Sequence, residues 1–214
     1  SNSLTKESYY EGLTSYPAAR CVRILNPLSA DLNVMRQTLL FNTMEAVQLN
    51  ANRRNGNLRL YEFGNCYFYD EAARDAEKPL SAYSEQYRLA IAVTGAAVPQ
   101  SWNAKPQASS FFTLRAVAEK LLRRFGLDIY ALKCEPLQSD LFGDGISLSA
   151  GNGRELLQMG VVAPRIRRAF DLKQEVYYLE MNFDALVKST RKHRIAFEEL
   201  SKFPEVKRDL ALLV

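Results

Sequence analysis

Apolar positions recur along the chain in two periods, one helical and one of strands. From Leu114 they fall at Val117, Ala118, Leu121, Leu122 and Phe125, a spacing that lines one face of a helix. Arg123 and Arg124 stand in its last turn and Gly126 just past it, as a helix C-terminus prefers. Leu32, Met35, Leu39, Met44 and Val47 predict an earlier helix over residues 32–52, with Ser29 or Asp31 as its cap and Asn55-Gly56 closing it. Period two governs residues 58–69, where Tyr61, Phe63, Tyr67 and Tyr69 share one face of a strand, a face that looks like core. Residues 87–94 are mostly apolar and read as a strand buried on both faces.

Shorter signals fill the rest. Residues 21–25 form a short strand stopped at Asn26-Pro27, because proline cannot donate to a ladder. Residues 129–134 are a candidate strand. Residues 146–149 and 156–162 flank Asn152-Gly153, a strong hairpin signal. Residues 164–170 read as a short helix and 176–181 as a strand, with Asn182 capping a helix through Leu186. Residues 208–214 begin a further strand. The charged stretch 70–86, with Pro79, is a surface loop, and 95–109, with Gly95, Pro99 and Pro106, is the best internal boundary. Long strands joined by hairpins, with few helices, predict an α+β fold with a mostly antiparallel sheet and flanking helices.

The 214 residues are 47% hydrophobic and 24% charged, enough for a globular core without staples. A net charge of +4 permits contact with RNA without arguing for it. Cys21, Cys66 and Cys134 are far apart and odd in number, which fits free thiols in a reducing, cytoplasmic setting. Apolar runs are too short to span a membrane, no secretory leader is visible, and the chain reads as a piece excised from a longer one.

Catalytic constellations are scarce. His193 is the only histidine and sits in Arg191-Lys192-His193-Arg194, with no carboxylate beside it in sequence. One histidine and three scattered cysteines lack metal-ligand spacing. Asp140 and Asp144 flank Gly143 in what reads as a turn, without an EF-hand pattern. Gly143-Asp144-Gly145 and Gly151-Asn152-Gly153 read as hairpin turns, since neither continues into a phosphate-binding motif. Basic clusters stand at Arg53-Arg54, Arg123-Arg124, Arg165/Arg167/Arg168 and 188–194. They read chiefly as solvated charge; Arg165, Arg167, Arg168, Lys192 and Arg194 are the candidates for contact with RNA.

One stretch is more specific. Val22 to Ser29, with its Asn26-Pro27-Leu28-Ser29, then Met35-Arg36-Gln37-Thr38-Leu39-Leu40, Asn50, Asn52-Arg53 and Arg59-Leu60-Tyr61-Glu62-Phe63-Gly64 resemble, in order and spacing, the bacterial phenylalanyl-tRNA synthetase β-subunit family. Residues 201–212, containing Phe203-Pro204-Glu205 and Arg208-Asp209-Leu210, look like the opening of that family's ferredoxin-like anticodon-binding domain, which leaves residues 1–200 as the preceding domain. Phe111-Phe112-Thr113-Leu114-Arg115 stands where the family has a similar helix start. Leu141 to Gly145 replaces the family's common His-Pro-Gly turn, which puts that turn's role in doubt here.

The resemblance implies a class II aminoacyl-tRNA synthetase catalytic-like domain that is itself not catalytic. It implies an α₂β₂ complex in which the α subunit uses ATP and Mg²⁺ to attach phenylalanine to its tRNA, and no cofactor in this piece. The residues point the same way. Class II chemistry holds the ATP phosphates with arginines from an R-x-E strand and a glycine-rich strand–helix motif. Neither motif occurs in the chain; the nearest approach is Arg59-Leu60-Tyr61-Glu62, whose Arg59 and Glu62 fall on opposite faces of a strand. The segment 32–52 resembles the class II interface motif, which makes Leu32, Met35, Arg36, Leu39 and Val47 the candidates for a subunit interface. Three functions are thereby set against one another: an assembly module, a direct RNA-binding module and an independent enzyme.

Overall fold

The computed structural model describes residues 2–27, 29, 31–191, 203 and 206–211. The chain opens with three two-residue strands, β1 (Leu4–Thr5), β2 (Val22–Arg23) and β3 (Val34–Met35), paired antiparallel in the order β1-β3-β2. Helix α1 (Leu40–Asn52) follows, then β4 (Leu58–Tyr69) and β5 (Tyr83–Thr94). A ribbon of β6 (Ala96–Val98) and β7 (Gln107–Ala108) leads into α2 (Phe111–Arg124). Next come β8 (Lys133–Pro136), β9 (Phe142–Ser149), β10 (Glu155–Val162), α3 (Pro164–Ala169), β11 (Val176–Asn182) and α4 (Phe183–Thr190).

Six of these strands form one sheet in the order β4-β5-β11-β10-β9-β8, and every neighbouring pair is antiparallel. The expected α+β class with an antiparallel sheet holds. Because β5 pairs with β11, strands from either side of residues 95–109 share the sheet.

Both faces of the central strands are buried, for the reason the apolar run in β5 predicts. Ala90 and Ala92 face one layer with Leu40, Met44 and Val47 of α1. Leu89 and Val93 face the opposite layer, where Leu114, Ala118 and Leu122 of α2 and Leu186 of α4 pack with Met159, Leu179 and Met181. Each fully buried Leu, Met or Val contributes about 1.5–3 kcal/mol of transfer free energy. Helix α2 starts where Ser110 accepts the Thr113 N–H while the Thr113 hydroxyl accepts the Ser110 N–H, a reciprocal cap. Asn182 caps α4 by accepting the Ala185 N–H at 2.9 Å.

Four expectations are corrected. The helix predicted over 32–52 begins only at Leu40: Leu32 precedes it, and Met35 lies in β3, held extended between β1 and β2. The Thr38 hydroxyl, which accepts the Leu40 N–H at 3.1 Å, marks the true start. Second, Tyr61, Phe63, Tyr67 and Tyr69 do share a face, but it is the more open one, and Tyr61 is 75% exposed. The core side of β4 carries Leu58, Gly64, Cys66 and Phe68 instead. At this edge of the sheet the cover is partial: Phe63 meets Tyr61 edge-on at 6.3 Å, stacks on Tyr87 of β5 at 6.0 Å and meets Phe183, at the start of α4, edge-on at 5.2 Å. Third, Gly143-Asp144-Gly145 lies inside β9; only Asn152-Gly153 makes the hairpin turn. Gly145 pairs with Gly160 of β10 so closely that a Cβ on Gly160 would strike the Asp144 carbonyl. Fourth, residues 129–131 form a 3₁₀ turn, and the strand starts at Lys133. The strand expected over 208–214 finds no regular structure at 208–211 and otherwise lies outside the described residues.

Candidate functional site

Strand β11 carries a lone carboxylate, Glu180, onto the α1 face of the sheet, 7% exposed. An apolar strand can hold a charge there only if every lone pair is engaged. One carboxylate oxygen accepts the Thr38 and Tyr178 hydroxyls, each at 2.5 Å, and the Leu39 backbone N–H at 3.2 Å. The other accepts Arg88, which projects from β5 beside it. Burial pushes the Tyr178 phenol well above its usual range, and the adjacent carboxylate adds to the shift.

Arg88 is fully engaged in turn. Its guanidinium donates to Glu180, to the Tyr16 hydroxyl at 2.9 Å and to the Gln86 side chain at 2.8 Å, and it lies over the Phe68 ring at 5.3 Å. Burial pushes the Tyr16 phenol up to about 12, against the opposing pull of Arg88. A second arginine, Arg36, is 3% exposed and reaches Glu62 at 2.8 Å, the Asn65 carbonyl at 3.0 Å and the Asn2 carbonyl at 3.1 Å. Gly64 makes this possible, because a Cβ there would fall on the guanidinium. A polar cavity of about 230 Å³ opens beside Arg88 and Glu180, walled by Tyr16, Gln86 and Asn182.

The chemistry open to this cluster is limited. A carboxylate saturated by four donors is a poor general base. The cavity lining holds one guanidinium, Arg88, already spent on Glu180, Tyr16 and Gln86, and two carboxylates, Glu155 and Glu180, so the cavity does not fit a triphosphate. Burial pushes the Cys66 thiol far up, away from thiolate reactivity. Among the described residues, no group of three or more His, Cys, Asp or Glu is placed to hold a metal ion, and no helix is long and apolar enough to cross a membrane.

The interface candidates do not share a helical stripe. Leu39 and Val47 are fully buried in this chain's own core, Arg36 is tied to Glu62, Met35 is half-buried in β3 and Leu32 is partly exposed. The exposed apolar side chain on α1 is Leu49. Of the candidates for RNA contact, Arg165 reaches Asp140 at 3.5 Å, Arg167 and Arg168 line a cleft of about 570 Å³ beside α3, and Lys192 and Arg194 lie outside the described residues, as does His193. Sequence reasoning missed the Glu180 cluster. Its signal was a single carboxylate at an inward position of an otherwise apolar strand.

Three comparisons bear on this arrangement. The family model described as the phenylalanyl tRNA synthetase beta chain CLM domain matches residues 1–183. The phenylalanine–tRNA ligase β subunit of Bacteroides thetaiotaomicron is 46% identical over 213 residues, covering 100% of this chain and 26% of that protein. Its counterpart in Chlorobaculum tepidum is 32% identical over 197 residues, covering 90% of this chain and 24% of that one. The chain thus spans about a quarter of the length of such relatives. Among solved structures, the pyrrolysyl tRNA synthetase PylSc of Desulfitobacterium hafniense superposes with a TM-score of 0.61 at 15% identity, over 87% of this chain and 60% of that one. At that identity the likeness concerns the fold alone, which is that of a class II synthetase catalytic domain.

Proposed function

The chain belongs to the family of the phenylalanyl tRNA synthetase beta chain CLM domain, and on that premise we propose that it is a non-catalytic structural and assembly module of a phenylalanine–tRNA ligase β subunit. The observation that carries this reading is the commitment of the buried Arg36, at the β4 edge, and Arg88, on β5, to Glu62 and Glu180. Adenylation crowds negative charge at the α-phosphate, and the arginines that would stabilise it must be free to meet it. Here the same residue type is used to fasten β3 to β4 and β5 to β11.

In this reading ATP, Mg²⁺ and phenylalanine are handled by the α subunit of a cytoplasmic complex, and this module supplies a rigid support. The outward face of α1, with Glu45, Leu49 and Asn52 at helical spacing, is the surface we assign to assembly, together with the partly exposed Leu32. Co-expression with an α subunit tests it. Wild type should co-purify with α, and Leu49→Asp should lose α while keeping its circular dichroism spectrum. Leu39→Asp serves as the folding control, because it places a charge in the core. Amino-acid-dependent ATP–pyrophosphate exchange by this chain alone would overturn the non-catalytic reading.

A further inference from the structure

We propose that the pocket between the first turn of α2 and strands β9, β10 and β11 binds a primary amine with a short apolar body. This site does not depend on the function proposed above. Tyr177, Val161 and Asp144 pair across β11, β10 and β9, so their side chains form one row on the α2 face of the sheet. The next row is Leu179, Met159 and Ile146. Leu179 and Met159 are fully buried with the core of α2, whereas Tyr177 and Val161 are half-buried and Asp144 is exposed. Helix α2 thus begins one row short of covering the sheet, and its first residue, Phe111, stands at the border.

The result is a pocket of about 210 Å³ lined by Phe111, Asp144, Gly145, Ile146, Val161 and Tyr177. Neighbouring strands lie about 4.8 Å apart, so Asp144 and Tyr177, two strands removed, leave roughly 10 Å between them over Val161. One ring or one aliphatic chain fits that gap. The Tyr177 hydroxyl is already given to the Glu175 carboxylate. Asp144 is the one carboxylate in the lining, and among the described residues its side chain has no ion pair and no hydrogen bond, unlike Asp140, which takes Thr14, Ser15 and Arg165. The start of α2 opposes a cation, but with only roughly half a positive charge, at an end already capped by Ser110 and Thr113. The full charge of Asp144 outweighs it. Apolar walls with one carboxylate at the end match a molecule that is apolar along its length and cationic at its tip. Its ammonium meets Asp144 and its body lies on Val161, between Phe111 and Tyr177. An anion would be repelled by Asp144, and a hydrocarbon would take water from that carboxylate and give nothing back.

The test is a titration of the chain with benzylamine, followed by ligand-observed NMR, with benzyl alcohol as the uncharged counterpart. Benzylamine should bind saturably in the millimolar range, and benzyl alcohol about tenfold more weakly, the worth of one hydrogen bond to a charged group. Asp144→Asn, which alters an exposed side chain, should bring benzylamine down to the level of the alcohol with an unchanged circular dichroism spectrum. Glu85→Gln, which removes an exposed carboxylate at the far end of β5, should leave benzylamine binding as it is. A capped lysine amide separates two sources of the same chemistry. Tighter binding than benzylamine assigns the pocket to a lysine side chain of another protein and weaker binding to a free amine, and either supports the site. No saturable binding by wild type overturns the proposal. So does equal binding of amine and alcohol, an unchanged affinity in Asp144→Asn, or an equal loss in Glu85→Gln, which would mean attraction by overall charge.

Discussion

The Glu180 carboxylate accepts the backbone N–H of Leu39 at 3.2 Å, so the middle strand of the sheet holds the start of α1 across 141 positions of sequence. The same oxygen takes the Thr38 hydroxyl, while Arg88 balances the charge from the next strand. Removing the carboxylate strands a buried guanidinium. Glu180→Ala should therefore cost about 3–5 kcal/mol in urea unfolding, and Glu180→Gln, which keeps an acceptor, less. A loss under about 1 kcal/mol for the alanine variant would mean the network is solvated rather than buried.

Gly64 is expected to be intolerant for a steric reason. A Cβ there lands on the Arg36 guanidinium, which is bonded to Glu62 at 2.8 Å and buried. Gly64→Ala should lower stability by about 1–3 kcal/mol as Arg36 is displaced. Thermal unfolding measures this, and an unchanged midpoint would show that Arg36 has room to move aside.

The three thiols should divide by burial. Cys134 is exposed, whereas Cys21 and Cys66 are buried, and burial raises the pKa of both buried thiols. A thiol reagent should titrate one cysteine in the native chain and all three in denaturant. Rapid native modification of Cys66 would contradict the packing of β4 on the core.

Asp140 predicts a pH dependence. Burial opposes its charge, but donation from the Thr14 hydroxyl at 3.1 Å, the Ser15 N–H at 3.3 Å and the Thr14 N–H outweighs it, and the carboxyl is held below its usual range. A folded-state pKa below the unfolded one gives stability that is present above the unfolded pKa and lost as pH falls through the folded value. Asp140→Asn should thus cost about 1–2 kcal/mol at neutral pH. The gap to wild type should close as the solution is acidified through the carboxylate range, as urea titrations at several pH values would show; a gap independent of pH would contradict it.

How much of this was legible in the sequence depends on how local each cause is. Helix α2, strand β4 and the turn at Asn152-Gly153 are written in spacing and turn chemistry within a few residues, and they stand where the pattern placed them. The start of α1 was misplaced because Val34 and Met35 are drawn into strand pairing by Thr5, Leu4, Val22 and Arg23, which a helical wheel does not include. The aromatic face of β4 was assigned to the core because period two tells which residues share a face, not which face is covered. Gly145 reads as a turn residue until Gly160 is seen opposite it. Apart from Tyr178, two residues away, the partners of Glu180 lie at positions 38, 39 and 88, and only folding brings them together.

The sheet's two borders are unlike. At β8 a short strand ends in Pro136, which has no N–H to offer, and Lys133 and Glu135 pair at 2.7 Å along it. At β4 the Tyr67 N–H and the Asn65 carbonyl point outward to Arg36, so Arg59, Tyr61 and Phe63, of the same parity, turn their own N–H and C=O groups the same way. A visiting strand would find a ready template beside Tyr61 and a capped margin beside Pro136. The longer run of unpaired backbone groups therefore lies along β4 and the shorter along β8, so strand addition from outside is favoured at the first border.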